Sequence, residues 1–305
     1  MPLWRGAPGR GKADHQMLYD TRGPAGILSR EAGMDANLAE KYYRLKKCLA
    51  DMGSALVAFS GGVDSTLLLA VGAESLGDNL LAVTVDSPLH PRPMMEMASK
   101  MAARLKVEHI VIKTDELTDK TFISNPPERC YVCKRARFVK LVDIATREGI
   151  SEVLDGTQAD DMGDYRPGMD AAEELSVRSP LLEMEFYKFE VRALSRELGL
   201  ATWNMPAGTC LATRIPYGQE VTREKIEVVD SGEEYLAALG LKDIRLRVYD
   251  GGLARIEVSE AGIPLLASDG VRERVVTRMK SLGFTYVTLD LAGYRTGALN
   301  EVLPL

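Results

Sequence analysis

The stretch that most constrains the fold of this chain is the hexapeptide Ser-Gly-Gly-Val-Asp-Ser, from Ser60 to Ser65. An apolar run at 55–59 precedes it and predicts a β-strand, and an apolar run at 66–71 follows it and predicts a helix. A tight turn between a strand and a helix leaves free backbone N–H groups at the helix N-terminus, where they attract phosphate. The hexapeptide therefore predicts an anion site at the end of a strand.

The residue types within this turn suit a phosphate group. Gly61 and Gly62 allow a positive φ and a close approach of an anion, and Ser60 and Ser65 add hydroxyl donors. Asp64 has the wrong charge for a phosphate contact, so we expect it to cap the helix or to bind a magnesium ion. The alternative is an ordinary strand-to-helix turn that binds no ligand.

The glycine spacing differs from that of the Walker loop, whose pattern is Gly-x-x-x-x-Gly-Lys-Ser/Thr. It resembles the PP-loop of the ATP pyrophosphatase superfamily, whose pattern is Ser-Gly-Gly-x-Asp-Ser. Enzymes of that superfamily cleave ATP between the α- and β-phosphates and usually adenylate a substrate. The resemblance implies that ATP is a cofactor of this chain.

Further apolar runs predict strands at 80–85, 109–112 and 153–154. Helical patterns separate these runs, and one of them covers 134–148 and ends at Gly149. This alternation is typical of an α/β fold with a parallel, doubly wound sheet. Ligands of such folds bind beyond the carboxyl ends of the strands. Asp86 and Asp155 follow two of the predicted strands, and we expect both to lie near the nucleotide together with Asp64.

A chain of 305 residues is long enough for about two domains. Gly, Pro and Arg are scattered through residues 1–34, which we expect to be a disordered extension. Residues 35–218 contain the PP-loop and form the predicted ATP pyrophosphatase domain. Short strands around an Asp-Gly-Gly turn follow, so residues 219–305 predict a smaller α/β domain for substrate binding or oligomerisation.

Composition narrows the possible partners. The formal net charge is -6 and the apolar content is 46%. Because proteins that bind polyanions are usually basic, a nucleic-acid substrate is disfavoured. No run approaches the ~18 apolar residues of a membrane helix. Four cysteines do not suggest a disulfide scaffold, and we expect the protein in the cytoplasm.

Three of the cysteines form a candidate sulfur or metal centre. Cys130 and Cys133 are a Cys-x-x-Cys pair, and Cys210 lies far downstream. Such a pair is typical of zinc sites, iron–sulfur sites and redox dithiols. The chain has 3 His, none in a ligand-spaced pair, so a four-ligand zinc site lacks ligands. Three thiolates suit a [4Fe-4S] cluster with one open iron; the residues alone leave open a redox pair or packing residues.

Ten stretches together resemble the LarE family of ATP-dependent sulfurtransferases, which make the nickel-pincer nucleotide cofactor of lactate racemase. They include Arg-Cys-Tyr-Val-Cys-Lys at 129–134 and Cys-Leu-Ala-Thr-Arg at 210–214. The complete set runs in family order through 60–65, 83–88, 129–134, 155–161, 164–168, 178–181, 210–218, 245–247, 254–257 and 291–297. Only the first of them is shared with the wider superfamily.

The resemblance implies a reaction. The substrate is a pyridinium mononucleotide with two carboxylates; ATP and Mg²⁺ adenylate one carboxylate, and sulfur then replaces AMP to give a thiocarboxylate. Family members with one cysteine, at the position of Cys210, sacrifice its sulfur, whereas members with three use a [4Fe-4S] cluster. Because this chain also has Cys130 and Cys133, we favour the cluster, with sacrificial donation as the alternative.

Charged residues of the last domain are the predicted substrate contacts. Arg245 and Arg247 alternate on a predicted strand, so both point to one face and suit a phosphate or carboxylates. The resemblance implies the same role for them and places Arg214 close to the sulfur centre, with Glu233 and Glu257 shaping the pocket. The alternative for each is a solvated surface charge. Asp160 and Asp161 suit either magnesium binding or turn formation.

Three other functions compete with this interpretation. A cluster-dependent tRNA thiolase would need a basic face, and an amide-forming ligase such as an NAD or asparagine synthetase would not need three cysteines. A nucleotide sensor would bind ATP without releasing pyrophosphate. The resemblance also implies a homo-oligomer, and the sulfur donor that reloads a cluster is unknown.

Overall fold

Four parallel strands form the first sheet of the computed structural model, which describes residues 34–163, 167–206 and 208–303. These strands are Ala55–Ala58 (β1), Leu80–Asp86 (β2), Glu108–Lys113 (β3) and Glu152–Leu154 (β4). They lie in the order β3-β2-β1-β4, and every pairing is parallel. The predicted parallel α/β sheet is confirmed. The predicted N-terminal extension lies outside the described residues, apart from Met34.

Helices cover both faces of this sheet, because its strands are apolar on both sides. Side chains alternate along a strand, so Ala55 and Val57 pack into one apolar layer and Leu56 into the other. The helices of this part are Ala36–Asp51 (α1), Val63–Leu76 (α2), Arg92–Leu105 (α3), Lys120–Ile123 (α4), Arg129–Glu148 (α5), Gly168–Glu174 (α6), Pro180–Glu183 (α7) and Lys188–Glu197 (α8). Helices α1, α2, α3 and α8 cover one face, and α5 and α6 cover the other.

A second, smaller sheet contains three strands, all of which lie within residues 219–305. Its elements are Arg223–Ala238 (α9), Arg245–Tyr249 (β5), Leu253–Glu257 (β6), Ile263–Ala267 (α10), Asp269–Ser281 (α11) and Tyr286–Leu289 (β7). Strands β5 and β6 are antiparallel, and β7 pairs with β6 in parallel. The β5–β6 turn requires glycine, because Gly251 and Gly252 have φ of 84° and 78°.

Residues that follow β2 and β3 join the apolar core of the second sheet. Leu89 and Phe122 are both buried in that core. The Asn125 side chain donates to the carbonyl of Pro216 at 2.7 Å and to that of Gln219 at 2.8 Å. The chain on both sides of the predicted domain boundary, between residues 218 and 219, is therefore hydrogen-bonded to Asn125, which follows α4. No helix in the described parts of the chain is long and apolar enough to cross a membrane.

Candidate functional site

The PP-loop links β1 to α2 in the conformation that its glycines permit. Gly61 has a φ of 75°, and a Cβ at this position would lie 3.0 Å from the backbone nitrogen of Ala98. The hydroxyl oxygens of Ser60 and Ser65 lie 2.9 Å apart, and the Gly62 amide donates to the Ser60 hydroxyl at 3.3 Å. These contacts hold the turn closed around the start of α2, where free N–H groups suit a phosphate.

The turn after β4 lies directly against the PP-loop. A Cβ on Gly156 would lie 3.0 Å from the backbone nitrogen of Ser65, so only glycine fits without displacing that amide. Asp155 is buried and accepts hydrogen bonds from the Thr157 hydroxyl and the Ser179 hydroxyl, each at 2.7 Å. These contacts, and a hydrogen bond from the Thr157 amide at 3.0 Å, organise the turn that lies against the loop.

Asp64 is occupied by an ammonium group. Lys188, at the first position of α8, donates from Nζ to both carboxylate oxygens, at 2.7 and 2.5 Å. The Lys188 amide also donates to Asp160 at 2.6 Å, and Asp161 accepts from the Gln158 amide at 3.0 Å. Asp160 therefore holds the start of α8, Asp161 bonds within its own turn, and a cation at Asp64 has to compete with Lys188.

A cavity of about 380 Å³, here called the loop cavity, opens at the carboxyl ends of β1, β2 and β4. The residues that line it include Ser60, Ser65, Asp64 and Asp155. Asp86 is absent from this lining, although Val85 just before it contributes. Val83 and Thr84 line the cavity as well, so the contribution of β2 ends one residue before Asp86. Two of the three predicted strand-end aspartates, Asp64 and Asp155, therefore line this cavity.

The three cysteines line a second cavity of about 480 Å³, here called the cysteine cavity. Cys130 and Cys133 lie on α5, which begins at Arg129 and not near Lys134 as the helical pattern had predicted. Arg129 is buried and donates to the Ala212 carbonyl at 3.0 Å, a tertiary contact that extends the helix beyond its own sequence signal. This first turn carries both thiols to Cys210.

The thiols differ in their surroundings. Burial raises the pKa of the Cys133 thiol to about 12, and the nearby Arg137 guanidinium opposes this effect. No group of three His, Cys, Asp or Glu side chains within 34–163, 167–206 and 208–303 converges on a point that would hold one metal ion. A mononuclear site at the three cysteines is therefore not formed by the described residues.

Arg214 holds the loop that carries Cys210. Its guanidinium donates to both carboxylate oxygens of Glu233 at 2.8 Å and to the Cys210 carbonyl at 3.2 Å. The side chain of Arg214 is only 3% exposed, and its partner Glu233 is half-buried. The Thr213 hydroxyl donates to the same Cys210 carbonyl at 2.7 Å. These contacts fix the backbone of Cys210 beside α5.

Arg247 and Arg245 both line the cysteine cavity, but their partners differ. Arg247 is buried and makes a two-bond ion pair with Glu257, at 2.9 and 2.8 Å. Arg245 stacks on the Tyr294 ring at 4.6 Å and donates to the Ile244 carbonyl, with no carboxylate partner in the described part of the chain. Burial and the nearby Arg214 charge lower the pKa of Arg245. Its guanidinium is the better placed of the two for an anionic ligand.

Four residues line both cavities, and sequence reasoning missed all of them as site residues: Lys134, Arg137, Thr157 and Gly208. Lys134 and Arg137 follow Cys130 and Cys133 at a spacing of four on α5, so the four side chains share one helix face. The i, i+4 spacing was the available signal, had the helix been predicted to begin at Arg129. Lys134 donates to Asp155 at 3.2 Å.

Comparisons with known proteins agree with this geometry. The family model of the queuosine biosynthesis protein QueC matches residues 54–128. The chain is 41% identical over 271 residues to the pyridinium-3,5-bisthiocarboxylic acid mononucleotide synthase of Lactiplantibacillus plantarum, covering 88% of this chain and 96% of that protein. The chain belongs to the LarE family. Members of this family are ATP-dependent sulfurtransferases, and the PP-loop and the cysteine cavity belong to such an enzyme.

Two other relatives match different shares of the chain. An uncharacterized protein of Synechocystis is 41% identical over 266 residues, covering 87% of this chain and 99% of that protein. The glutamine-hydrolyzing GMP synthase of Aeropyrum pernix is 31% identical over 219 residues, which cover 66% of this chain and 41% of that enzyme. The likeness to the LarE relative therefore extends over nearly the whole chain, and the likeness to the GMP synthase covers part of each protein.

Proposed function

We propose that this chain adenylates a carboxylate of a pyridinium biscarboxylic acid mononucleotide and converts it to a thiocarboxylate, in biosynthesis of the nickel-pincer nucleotide. The printed name of the Lactiplantibacillus relative supports this substrate class. The observation that carries the proposal is the shared wall of Lys134, Arg137, Thr157 and Gly208 between the loop cavity and the cysteine cavity. An activated carbonyl formed at one cavity lies next to sulfur at the other.

In the first step, a carboxylate oxygen of the substrate attacks the α-phosphorus of ATP. The bond from this phosphorus to the oxygen bridging to the β-phosphate breaks, and pyrophosphate leaves with the electron pair. The N–H groups of the PP-loop at the start of α2 stabilise the charge on pyrophosphate. The product is an acyl-adenylate whose phosphate lies toward the loop cavity and whose acyl carbon lies toward the cysteines.

In the second step, a sulfur nucleophile attacks the acyl carbon, and the carbon–oxygen bond to AMP breaks. AMP leaves as an anion, and the acyl group keeps the sulfur as a thiocarboxylate. Arg214 holds the loop that carries Cys210 through the backbone carbonyl of that residue. The Cys210 thiol would thereby be kept near the acyl carbon of the substrate. Sacrificial donation from Cys210 would leave dehydroalanine in its place and would end the reaction after one turnover.

The cysteine cavity fits a [4Fe-4S] cluster better than a single metal ion. In a cluster each thiolate binds a different iron, so Cys130, Cys133 and Cys210 need only surround one space. They line the same cavity, which places all three sulfur atoms around one space. We propose that these three thiols hold the cluster, which would supply labile sulfide from its open iron. The donor that replaces this sulfide is a separate protein or small molecule.

Arg245 supports recognition of the anionic mononucleotide, because it lines the cysteine cavity without a carboxylate partner in the described residues. Arg247 lines this cavity with its charge balanced by Glu257, whereas Arg214 is paired with Glu233 behind the lining. We propose that these two pairs shape the cavity and that Arg245 binds the phosphate or the second carboxylate. Magnesium would enter with ATP, and Asp64 would contact it only after releasing Lys188.

The test is made on protein purified without oxygen. Iron, labile sulfide and the electronic absorption spectrum are measured on the wild type and on the Cys210→Ala variant. Pyrophosphate, AMP and thiocarboxylate formation are then followed with ATP, Mg²⁺ and the pyridinium biscarboxylate mononucleotide, in the presence of inorganic sulfide as the sulfur source. We expect about four irons per chain, loss of most of them in the variant, and thiocarboxylate formation beyond one turnover.

Three other results would contradict parts of this proposal. No iron, one turnover, and a Cys210 lighter by the mass of hydrogen sulfide would replace the cluster with the sacrificial mechanism. Pyrophosphate release that needs tRNA in place of the mononucleotide would overturn the substrate. Activity that survives the triple change Cys130→Ala, Cys133→Ala and Cys210→Ala would indicate an amide-forming ligase.

A further inference from the structure

A half-buried arginine that the proposed reaction does not yet use lies in the wall between the two cavities. Arg137 lines both the loop cavity and the cysteine cavity. Its Nη2 is buried and has no hydrogen-bond partner in the described part of the chain. Leaving a buried donor unpaired is costly, and such a group in a native protein signals a missing water, ion or ligand.

The rest of the guanidinium is held firmly. Nε donates to Glu116 at 2.8 Å, and Nη1 contacts Nε2 of His90 at 3.0 Å. Burial would raise the pKa of Glu116, but the Arg137 charge and hydrogen bonds from Ser87 and Thr114 lower it to about 2. Burial and the Arg137 charge lower the pKa of His90 to about 4, so the imidazole is neutral and accepts from Arg137. Two of the three nitrogens are thus anchored, and only Nη2 faces no partner.

The position of Arg137 between the two cavities indicates which group of the ligand it binds, and this inference rests on the proposed function. In the acyl-adenylate, the nucleotide occupies the loop cavity and the acyl carbon meets the cysteines. The α-phosphate is bonded to both parts, so it has to lie where the two cavities meet. Of the four residues at that boundary, Lys134 and Arg137 are cationic, and Lys134 already donates to Asp155. We propose that Arg137 is a catalytic residue whose Nη2 binds an oxygen of the α-phosphate.

This contact has a consequence for both steps. During adenylation the α-phosphorus gains a fifth oxygen, and during sulfur transfer the AMP phosphate takes the electron pair of the broken bond. A fixed N–H donor with a positive charge stabilises either anion without reorganising. Cys133 lies one helical turn before Arg137, so the same helix carries the phosphate ligand and a sulfur ligand side by side.

The experiment compares AMP with adenosine, which differ only in the phosphate. Calorimetric titrations are made on the full-length wild type and on Arg137→Gln, which keeps an amide for Glu116 but lacks the charge. We expect AMP binding to weaken about tenfold or more, equivalent to about 1.4 kcal/mol, while adenosine binding changes less than twofold. Arg137→Lys should recover part of the loss, because it restores the charge but not the planar fork.

The matched control is Arg135→Gln, because Arg135 is exposed on the same helix and lines neither cavity. It should bind both ligands as the wild type does. Equal AMP affinity of Arg137→Gln and wild type, with adenosine bound by both, would overturn the Arg137 assignment and leave the proposed function standing. Loss of AMP and adenosine together in Arg137→Gln would indicate a structural role and would also overturn it. A wild type that binds neither would overturn both.

Discussion

The buried pair of Arg247 and Glu257 gives the sharpest prediction about stability. Glu257 is 1% exposed and receives two hydrogen bonds from Arg247, which is 5% exposed. Removing one partner of a buried ion pair leaves an uncompensated charge and costs about 3–5 kcal/mol. We therefore expect Glu257→Ala to lower the free energy of unfolding by that amount.

The assay is urea unfolding followed by far-UV circular dichroism. With an m value of about 2 kcal/mol/M, a loss of this size lowers the midpoint by roughly 1.5–2.5 M. The matched variant replaces both partners, Arg247→Met with Glu257→Leu, and should recover most of the loss because no unpaired charge remains buried. Arg255, the second partner of Glu257, is a third exposed and can turn to water.

Two results would refute this reasoning. A change in the midpoint corresponding to less than about 1 kcal/mol in Glu257→Ala would mean that water reaches the Arg247 guanidinium. A double variant as unstable as the single one would mean that the geometry of the strands, and not the unpaired charge, sets the cost.

Three further predictions concern the site. The pKa of His90 is lowered to about 4, so below pH 6.5 the unfolded chain takes up a proton that the folded protein does not. The contribution of His90 to the free energy of unfolding is therefore present above pH 6.5 and declines by at most about 1.4 kcal/mol per pH unit as pH falls toward 4. The pH dependence of urea unfolding should be flatter in His90→Gln, and identical slopes would contradict this. Gly156→Ala should slow pyrophosphate release about tenfold or more by displacing the Ser65 amide, with an unchanged circular dichroism spectrum, and full activity would contradict the close approach. Lys188→Met should lower the Mg²⁺ concentration needed for half-maximal pyrophosphate release, because it frees Asp64; a higher requirement would show that Lys188 assists ATP directly.

The sequence predicted those parts of the fold that depend on local patterns. The hexapeptide at 60–65 needs its glycines for its own backbone, so the loop was visible without any tertiary information. Apolar runs buried on both faces were also sufficient to predict the parallel sheet. The family resemblance placed the two cysteine motifs together, and in the structure all three cysteines line one cavity.

The site was harder to predict where charges cancel one another. Alternation put Arg245 and Arg247 on one face, but it does not reveal that Glu257 neutralises only the second of them. The Arg137 group is built from residues after β2, after β3 and on α5, which no local pattern connects. Such pairings follow from tertiary packing, and no local pattern in a single sequence predicts them.

The fastening of Asn125 to the chain at Pro216 and Gln219 has a consequence for motion. Hinge opening between the two sheets would break these hydrogen bonds and expose Leu89 and Phe122, which are buried in the second core. The two halves should therefore unfold as one cooperative unit, with amide exchange around both sheets reporting a common opening energy. Entry of the mononucleotide and departure of the thiolated product would then have to take place through the cysteine cavity, one wall of which is the segment 294–300, without separation of the halves.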